Sequence, residues 1–114
     1  MVVINISIFR GKIIEDKRRI CKTIQKALKS AFNIGHDNFH FRINEYAESE
    51  MIIPAMSSQN YLIIEIDLMP GKSAKEKDIF YKNIKEELRA LKIYEDDILV
   101  ILRESILENC CFRS

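Results

Sequence analysis

The sequence has little of several residue types, and each shortage excludes a class of protein. Its 114 residues include no tryptophan, three glycines and two prolines, which excludes collagen-like and low-complexity chains. Three cysteines, without a CxxC motif and with only two histidines, provide neither a disulfide framework nor a zinc site. Eighteen basic and seventeen acidic side chains leave a net charge of +1, which argues against nucleic acid or an anionic membrane as a partner.

The chain also lacks a hydrophobic segment long enough to span a bilayer. Its apolar start, MVVINISIF, has neither the basic leader nor the small-residue cleavage site of a secretory signal, so we interpret it as a buried strand. The cysteine usage fits a reducing, cytoplasmic setting. With 47% hydrophobic and 31% charged residues, we expect one domain over 1–114, with no metal and no cofactor.

What the sequence does contain is an internal repeat. Residues 2–28 align with 62–88 at an offset of 60, and a one-residue deletion then changes the offset to 59. Matched residues of the same type include Ile4 and Ile64, Gly11 and Gly71, Lys12 and Lys72, Lys17 and Lys77, and Glu45 and Glu104. We interpret the halves, approximately 2–46 and 61–105, as a duplication.

Each half has the pattern of a strand, a turn, a helix and a second strand. The strands are predicted at 2–9, 39–46, 61–69 and 97–104 from their Ile- and Val-rich runs. Apolar residues at helical spacing lie between them, and Ser73 with Glu76 forms a capping-box pattern before the second helix. The predicted fold is α/β (α+β): two tandem βαβ units form a four-stranded mixed sheet with two helices on one face and pseudo-two-fold symmetry.

Alternation along the strands predicts what each sheet face contacts. Ile4, Ile6 and Ile8 share the face that should meet the helices. The opposite face mixes polar residues with Val3, Ile63, Leu99 and Ile101, which favours an oligomer over a solvated sheet. We also expect segment 47–60 to pack on a neighbouring subunit, the alternative being that it covers a pocket.

No strong catalytic motif occurs, but three stretches carry a resemblance. They are FRINEY at 41–46, YLIIEIDLMPGKS at 61–73, and DDILVILRES at 96–105 followed by LEN at 107–109. With the duplicated βαβ unit, they resemble the tautomerase superfamily, which includes oxalocrotonate tautomerase, malonate semialdehyde decarboxylase and macrophage migration inhibitory factor. The resemblance covers almost the whole chain and is greatest to the fused bacterial members near the decarboxylase.

The resemblance implies proton-transfer chemistry at an amino terminus. Removal of Met in this family leaves an amino-terminal proline in an apolar pocket. An α-amine has a pKa of about 7.7–8.0 in peptides, and burial lowers it, so the neutral amine can shuttle a proton between enol and keto forms. Nearby arginines hold the substrate carboxylate. The resemblance therefore implies a small carboxylate ligand and a homotrimer.

The chain departs from the family pattern at the amine. Position 2 is Val2 rather than proline, and Val2 is the predicted catalytic residue only if Met1 is removed, since its primary amine then takes the same place. If Met1 stays, the amine moves by up to about 3.5 Å. Asn38 stands where the decarboxylase has an aspartate, and Cys110 stands for the Trp of the ending, which argues against decarboxylase activity.

Three residues are predicted to bind the substrate. Lys72 falls at an arginine position of the family's turn, although a solvated turn lysine is the alternative. Arg42 matches a strand arginine of the relatives and either binds an anion or pairs with an acid across the sheet. Phe112 matches an apolar residue of the pocket wall, or packs as a tail residue at an interface. Lys12 is expected to be structural.

These observations leave two main hypotheses. The first is a tautomerase that isomerises a small 2-oxo acid with the Val2 amine as base. The second is a pseudoenzyme that keeps the trimeric scaffold and a binding or interaction role. A ferredoxin-like regulatory or RNA-binding domain is disfavoured, because the chain lacks excess basic charge and an aromatic platform with flanking basic residues.

Overall fold

The computed structural model describes residues 1–11, 17–34 and 39–111. The strands are β1 (Val2–Phe9), β2 (Phe39–Tyr46), β3 (Leu62–Leu68) and β4 (Ile98–Glu104), and the helices are α1 (Lys17–Phe32) and α2 (Ala74–Ala90). Short 3₁₀ turns lie at Glu48–Glu50, Glu95–Asp97 and Leu107–Asn109. The predictions made for Lys12, Asn38 and Phe112 fall outside the described residues.

The four strands form one mixed sheet in the order β2-β1-β3-β4. β1 is parallel to β2, and β3 is parallel to β4, as expected for two βαβ units. The two units join through the antiparallel pair of β1 and β3 at the centre. The predicted fold is therefore confirmed, with strand bounds that differ by one residue at most. Neither described helix is long and apolar enough to cross a membrane.

One face of the sheet and both helices enclose the hydrophobic core. Ile4, Ile6 and Ile8 are at most 1% exposed, as the alternation predicts. Their partners on the helices include Ile24 and Ile84, both 0% exposed. Full burial of such side chains contributes about 1.5–3 kcal/mol each, so this layer is the main source of stability.

The start of α2 matches its predicted signal. Ser73 Oγ accepts a hydrogen bond from the backbone N–H of Glu76 at 3.0 Å, and the Glu76 carboxylate accepts one from the backbone N–H of Ser73 at 2.9 Å. These reciprocal bonds satisfy two backbone donors that a helix start leaves unpaired, so the capping box is confirmed.

The duplication is visible in matched contacts as well as in topology. Lys17 pairs with Glu45 in the first half, and its repeat mate Lys77 pairs with Glu104 at 2.6 Å in the second. Two further positions, 59 residues apart, follow the helices in the left-handed region, Asn33 with φ of 52° and Lys92 with φ of 63°. The two halves thus end their helices in the same way.

The sheet face away from the helices, which we call the open face, carries polar contacts across neighbouring strands. In the first half, Asn44 Nδ2 donates to Asn5 Oδ1 at 2.6 Å. Arg103, at the position matched to Asn44, donates at 3.0 Å both to Glu65 and to Asp67. The same cross-strand contact is therefore neutral in one half and ionic in the other.

Segment 47–60 is held at the start of β4 but turns apolar side chains outward. The backbone N–H and the hydroxyl of Ser58 both donate to the Asp97 carboxylate, each at 2.6 Å. Between these anchors and β2, Ile52 is 99% exposed and Met56 is 82% exposed in the single chain. The segment is thus fixed at its end and presents apolar surface in its middle.

Candidate functional site

Three chain segments meet where β1 begins. β3 runs antiparallel to β1, so its last residues lie beside the start of the chain, with Asp67 directly opposite Val3. β4 runs parallel to β3 and ends at the same edge, where the Ser105 N–H donates to the Leu68 carbonyl at 2.9 Å. The amino terminus therefore has walls from the segments that follow β3 and β4.

These segments enclose a cavity of about 220 Å³, which we call the β3–β4 cavity. Its described lining combines apolar residues with a carboxylate, a hydroxyl and a thiol. The lining residues are Met1, Val3, Asp67, Leu68, Met69, Ser105 and Cys110. A space of this size suits a ligand of a few carbon atoms.

A second, more open cavity lies on the other side of β1, against β2. This β2 cavity has a volume of about 530 Å³. Its described lining is Met1, Val3, Phe39, His40, Phe41 and Arg42. Met1 and Val3 line both cavities, so the start of β1 is the partition between them.

Val2 contributes its backbone nitrogen to the candidate site, whereas its side chain points away from the site. The side chain is 3% exposed and belongs to the core on the helix side of the sheet. Val2 also pairs with Phe39 of β2 in the parallel ladder. Because the side chain is buried and the strand is paired, the Val2 nitrogen is held at the end of the sheet between the two cavities.

Arg42 is the predicted binding residue that the structure brings to this end of the sheet. Its side chain is exposed on the open face and lines the β2 cavity. Among the described residues, its guanidinium makes no hydrogen bond and no ion pair. The described structure thus supplies no acid for the cross-sheet pairing alternative, and the guanidinium is open to an anion.

Lys72 lies at the same end of the molecule but on the helix side. Its Nζ is 5.8 Å from the centre of the Phe32 ring, at the end of α1, and it lines neither cavity. A cation over an aromatic face is a favourable contact at this distance. Whether Lys72 also holds a substrate carboxylate stays a prediction.

The turn that carries Lys72 is organised by Glu104 at the end of β4. One carboxylate oxygen of Glu104 accepts from the Gly71 N–H at 2.9 Å, and the other accepts from Lys77 Nζ at 2.6 Å. These bonds lower the pKa of Glu104 and raise the pKa of Lys77. Gly71 has a φ of 105°, a backbone conformation that residues other than glycine rarely adopt.

Asp67 lines the β3–β4 cavity but was not among the site residues predicted from the sequence. Its Oδ1 accepts from Arg103 Nε at 3.0 Å, while Arg103 Nη1 donates to Glu65 at 3.0 Å. The hydrogen bonds to these two carboxylates raise the pKa of Arg103. The signal that could have found Asp67 is the antiparallel pairing of β1 and β3, which sets it opposite Val3.

The cysteines differ in their surroundings. Cys110 lines the β3–β4 cavity, whereas Cys111 is exposed. Cys21 lies on α1, where burial raises the pKa of its thiol. In the described ranges, no three residues of the His, Cys, Asp and Glu types come together as a group that could hold a metal ion.

The family model described as "Tautomerase enzyme" matches residues 37–113, which is more than half of the chain. The chain belongs to this tautomerase family. No curated protein sequence matches it significantly.

Solved structures show the same fold as this tautomerase chain. A malonate semialdehyde decarboxylase superposes with a TM-score of 0.87 at 19% identity, over 98% of this chain and 91% of that one. A member of the cis-3-chloroacrylic acid dehalogenase family gives 0.84 at 14% identity, over 97% and 80%. A fused 4-OT that forms a symmetric trimer gives 0.77 at 19% identity, over 91% and 85%. At these identities the likeness shows the fold alone.

In this tautomerase chain, the start of β1 thus lies between a positive charge on one side and a negative charge on the other. Arg42 lines the β2 cavity and Asp67 lines the β3–β4 cavity. The Arg42 guanidinium can bind a small anion in the β2 cavity, which the first residues of β1 also line. An amine at that strand start could then exchange protons with it.

Proposed function

We propose that this tautomerase isomerises a small 2-oxo acid between its enol and keto forms, with the Val2 amine as the proton carrier once Met1 is removed. The observation that carries the proposal is the start of β1 between two cavities, one of which presents the open guanidinium of Arg42. The buried Val2 side chain supports it, because it holds the nitrogen in one place.

The proposed reaction transfers protons without net gain or loss. The amine nitrogen accepts the proton of the enol hydroxyl while the electrons of that O–H bond form the carbonyl. The electron pair of the C=C bond then takes a proton at the adjacent carbon, and the ammonium just formed supplies it. Arg42 holds the carboxylate and thereby orients the enol against the amine.

Two measurements test the proposal. Intact mass should show that the protein from its native host lacks the initiator Met, and enol-to-keto conversion of an aliphatic or aromatic 2-oxo acid should then be catalysed. Acylation of the amino terminus should abolish the rate. A variant with one alanine inserted before Val2 is the matched control, because it keeps a free amine but displaces it by up to about 3.5 Å. Equal activity in the inserted variant would exclude the amine mechanism.

A second candidate is a pseudoenzyme with a binding or interaction role, and Met1 is the observation that favours it. In the structure Met1 lines both cavities, so a retained Met1 occupies the place from which a Val2 amine would act. In that case intact mass includes Met1, no 2-oxo acid is isomerised, and a small carboxylate binds without turnover.

We also propose that the protein is a homotrimer in the cytoplasm. The cytoplasmic location rests on the cysteine usage, and the trimer rests on the open face. Leu99 is 40% exposed there, and Ile63 and Ile101 are half-buried in the single chain. A face with these apolar residues is stabilised by contact with other copies. The trimeric assembly of the fused 4-OT with this fold supports the same number of subunits.

A further inference from the structure

The charges beside the amino terminus lie on the two strands that flank β1, at positions two residues apart along it. Arg42 lies on β2 opposite Asn5, and Asp67 lies on β3 opposite Val3, both on the open face. Since neighbouring strands lie about 4.8 Å apart, β2 and β3 are about 10 Å apart across β1. A molecule that binds both Arg42 and Asp67 therefore crosses the start of β1.

Asp67 keeps an oxygen open for such a molecule. Arg103 divides its guanidinium between two carboxylates, with Nε donating to Asp67 Oδ1 and Nη1 donating to Glu65 Oε1. Asp67 Oδ2 accepts no hydrogen bond from any described residue, and the side chain is 36% exposed in the single chain. A carboxylate can accept several hydrogen bonds, so the bond from Arg103 orients Asp67 without saturating it.

Apart from the Ser105 hydroxyl and the Cys110 thiol, the rest of the described lining of the β3–β4 cavity is apolar. Leu68, Met69 and Val3 form an apolar wall around the Asp67 carboxylate, with Ser105 and Cys110 beside them. Arg103 supplies one positive charge against the two negative charges of Glu65 and Asp67. This wall therefore repels a carboxylate and attracts a hydroxyl hydrogen, whereas the wall at Arg42 attracts a carboxylate.

We propose that the substrate of this tautomerase is a hydroxylated 2-oxo acid, whose carboxylate binds Arg42 and whose distal hydroxyl donates to Asp67. The proposal rests on the proposed function and deepens it, since it assigns Asp67 as the residue that determines specificity. Arg103 acts through Asp67 and is a positioning residue.

The test compares two acids with the same five-carbon chain, 2-oxopentanoate and 4-hydroxy-2-oxopentanoate. Their dissociation constants are measured by NMR titration of the protein without Met1. The hydroxylated acid should bind roughly tenfold more tightly, which is the fold-change of one hydrogen bond to a charged group. Asp67→Val should remove that preference and leave the binding of 2-oxopentanoate within about twofold, because that acid makes no bond to Asp67.

Two further variants separate the role of Asp67 from a general loss of folding or of charge. Asp67→Asn retains an acceptor oxygen without the charge and should keep part of the preference, even if Asp67→Val folds poorly. Glu65→Gln is the matched control, since it lies on the same strand beside the same arginine but lines neither cavity, and it should keep the full preference. Equal affinity of the two acids for the unaltered protein would overturn this inference while leaving the proposed function standing. Binding of neither acid would overturn both.

Discussion

Two arginines on the open face show how the neighbouring strand decides what a side chain does. Arg103 on β4 faces Glu65 and Asp67 on β3 and bonds to both. Arg42 on β2 faces Asn5 on β1, and no described carboxylate is bonded to it. The same side chain is therefore structural in one half and open to a ligand in the other.

Arg42→Ala is expected to weaken the binding of the 2-oxo acid without affecting the fold. Loss of a charge-assisted hydrogen bond should lower kcat/KM roughly tenfold or more, mostly through a higher KM, because the arginine holds the substrate before and during proton transfer. Steady-state kinetics of enol-to-keto conversion measure this. Arg19→Ala, an exposed arginine on α1, is the control and should leave both constants unchanged. Unaltered kinetics in Arg42→Ala would remove Arg42 from the site.

At the scale of elements, the turn between β3 and α2 depends on a side chain from β4. Glu104 binds Gly71 and Lys77 together, so the end of β4 holds the start of α2 in place. These bonds depend on the charge of Glu104, whose pKa is lowered in the folded protein. A lowered pKa means that this stabilisation is present above the pKa of an unfolded glutamate, about 4.3, and is lost as pH falls through the folded value.

Glu104→Gln should therefore lower the Tm at neutral pH and make the Tm depend less on pH in the acidic range. Its difference from the unaltered protein should shrink as pH falls from about 4.3, where an unfolded glutamate takes up its proton, through the lower folded pKa of Glu104. Thermal unfolding followed by circular dichroism between pH 3 and 7 measures the effect. Glu95→Gln removes an exposed ion pair to Lys85 and should change little at any pH. A pH-independent difference for Glu104→Gln would contradict this account.

The sequence predicted the elements better than it predicted the site. Alternation along strands and apolar spacing along helices are local patterns, so they located the strands and the helices. The Ser73 and Glu76 pair located the start of α2. Asp67 joins the site only because β3 runs antiparallel to β1, which is a long-range pairing that no local pattern contains. Likewise, the position of Lys72 in the turn was readable, but the contact of its side chain with Phe32 depends on how α1 packs.

At the scale of the whole molecule, the open face and the helix face differ in what their apolar residues do. Leu99 on the open face and Ile79 on α2 are almost equally exposed, at 40% and 41%. Exposure in the single chain therefore does not distinguish an interface residue from a surface residue. The proposed homotrimer assigns Leu99 to the interface and Ile79 to solvent.

A pair of lysine substitutions tests that assignment. Leu99→Lys should dissociate the trimer, because a charge would be buried between subunits, whereas Ile79→Lys should leave it intact. Light scattering at micromolar concentration measures the mass, and circular dichroism checks that each variant is folded. A monomeric mass for the unaltered protein would refute the trimer.

The polar contacts of the open face differ in charge between the two halves of the molecule. Its two halves have nearly the same shape, so rotating the chain about its pseudo-two-fold axis barely changes the outline of the sheet. The same rotation would bring the neutral pair of Asn5 and Asn44 where the charged group around Arg103 had been. Where copies meet through this face, the charges therefore favour one relative orientation of the subunits, although their shape alone would allow two.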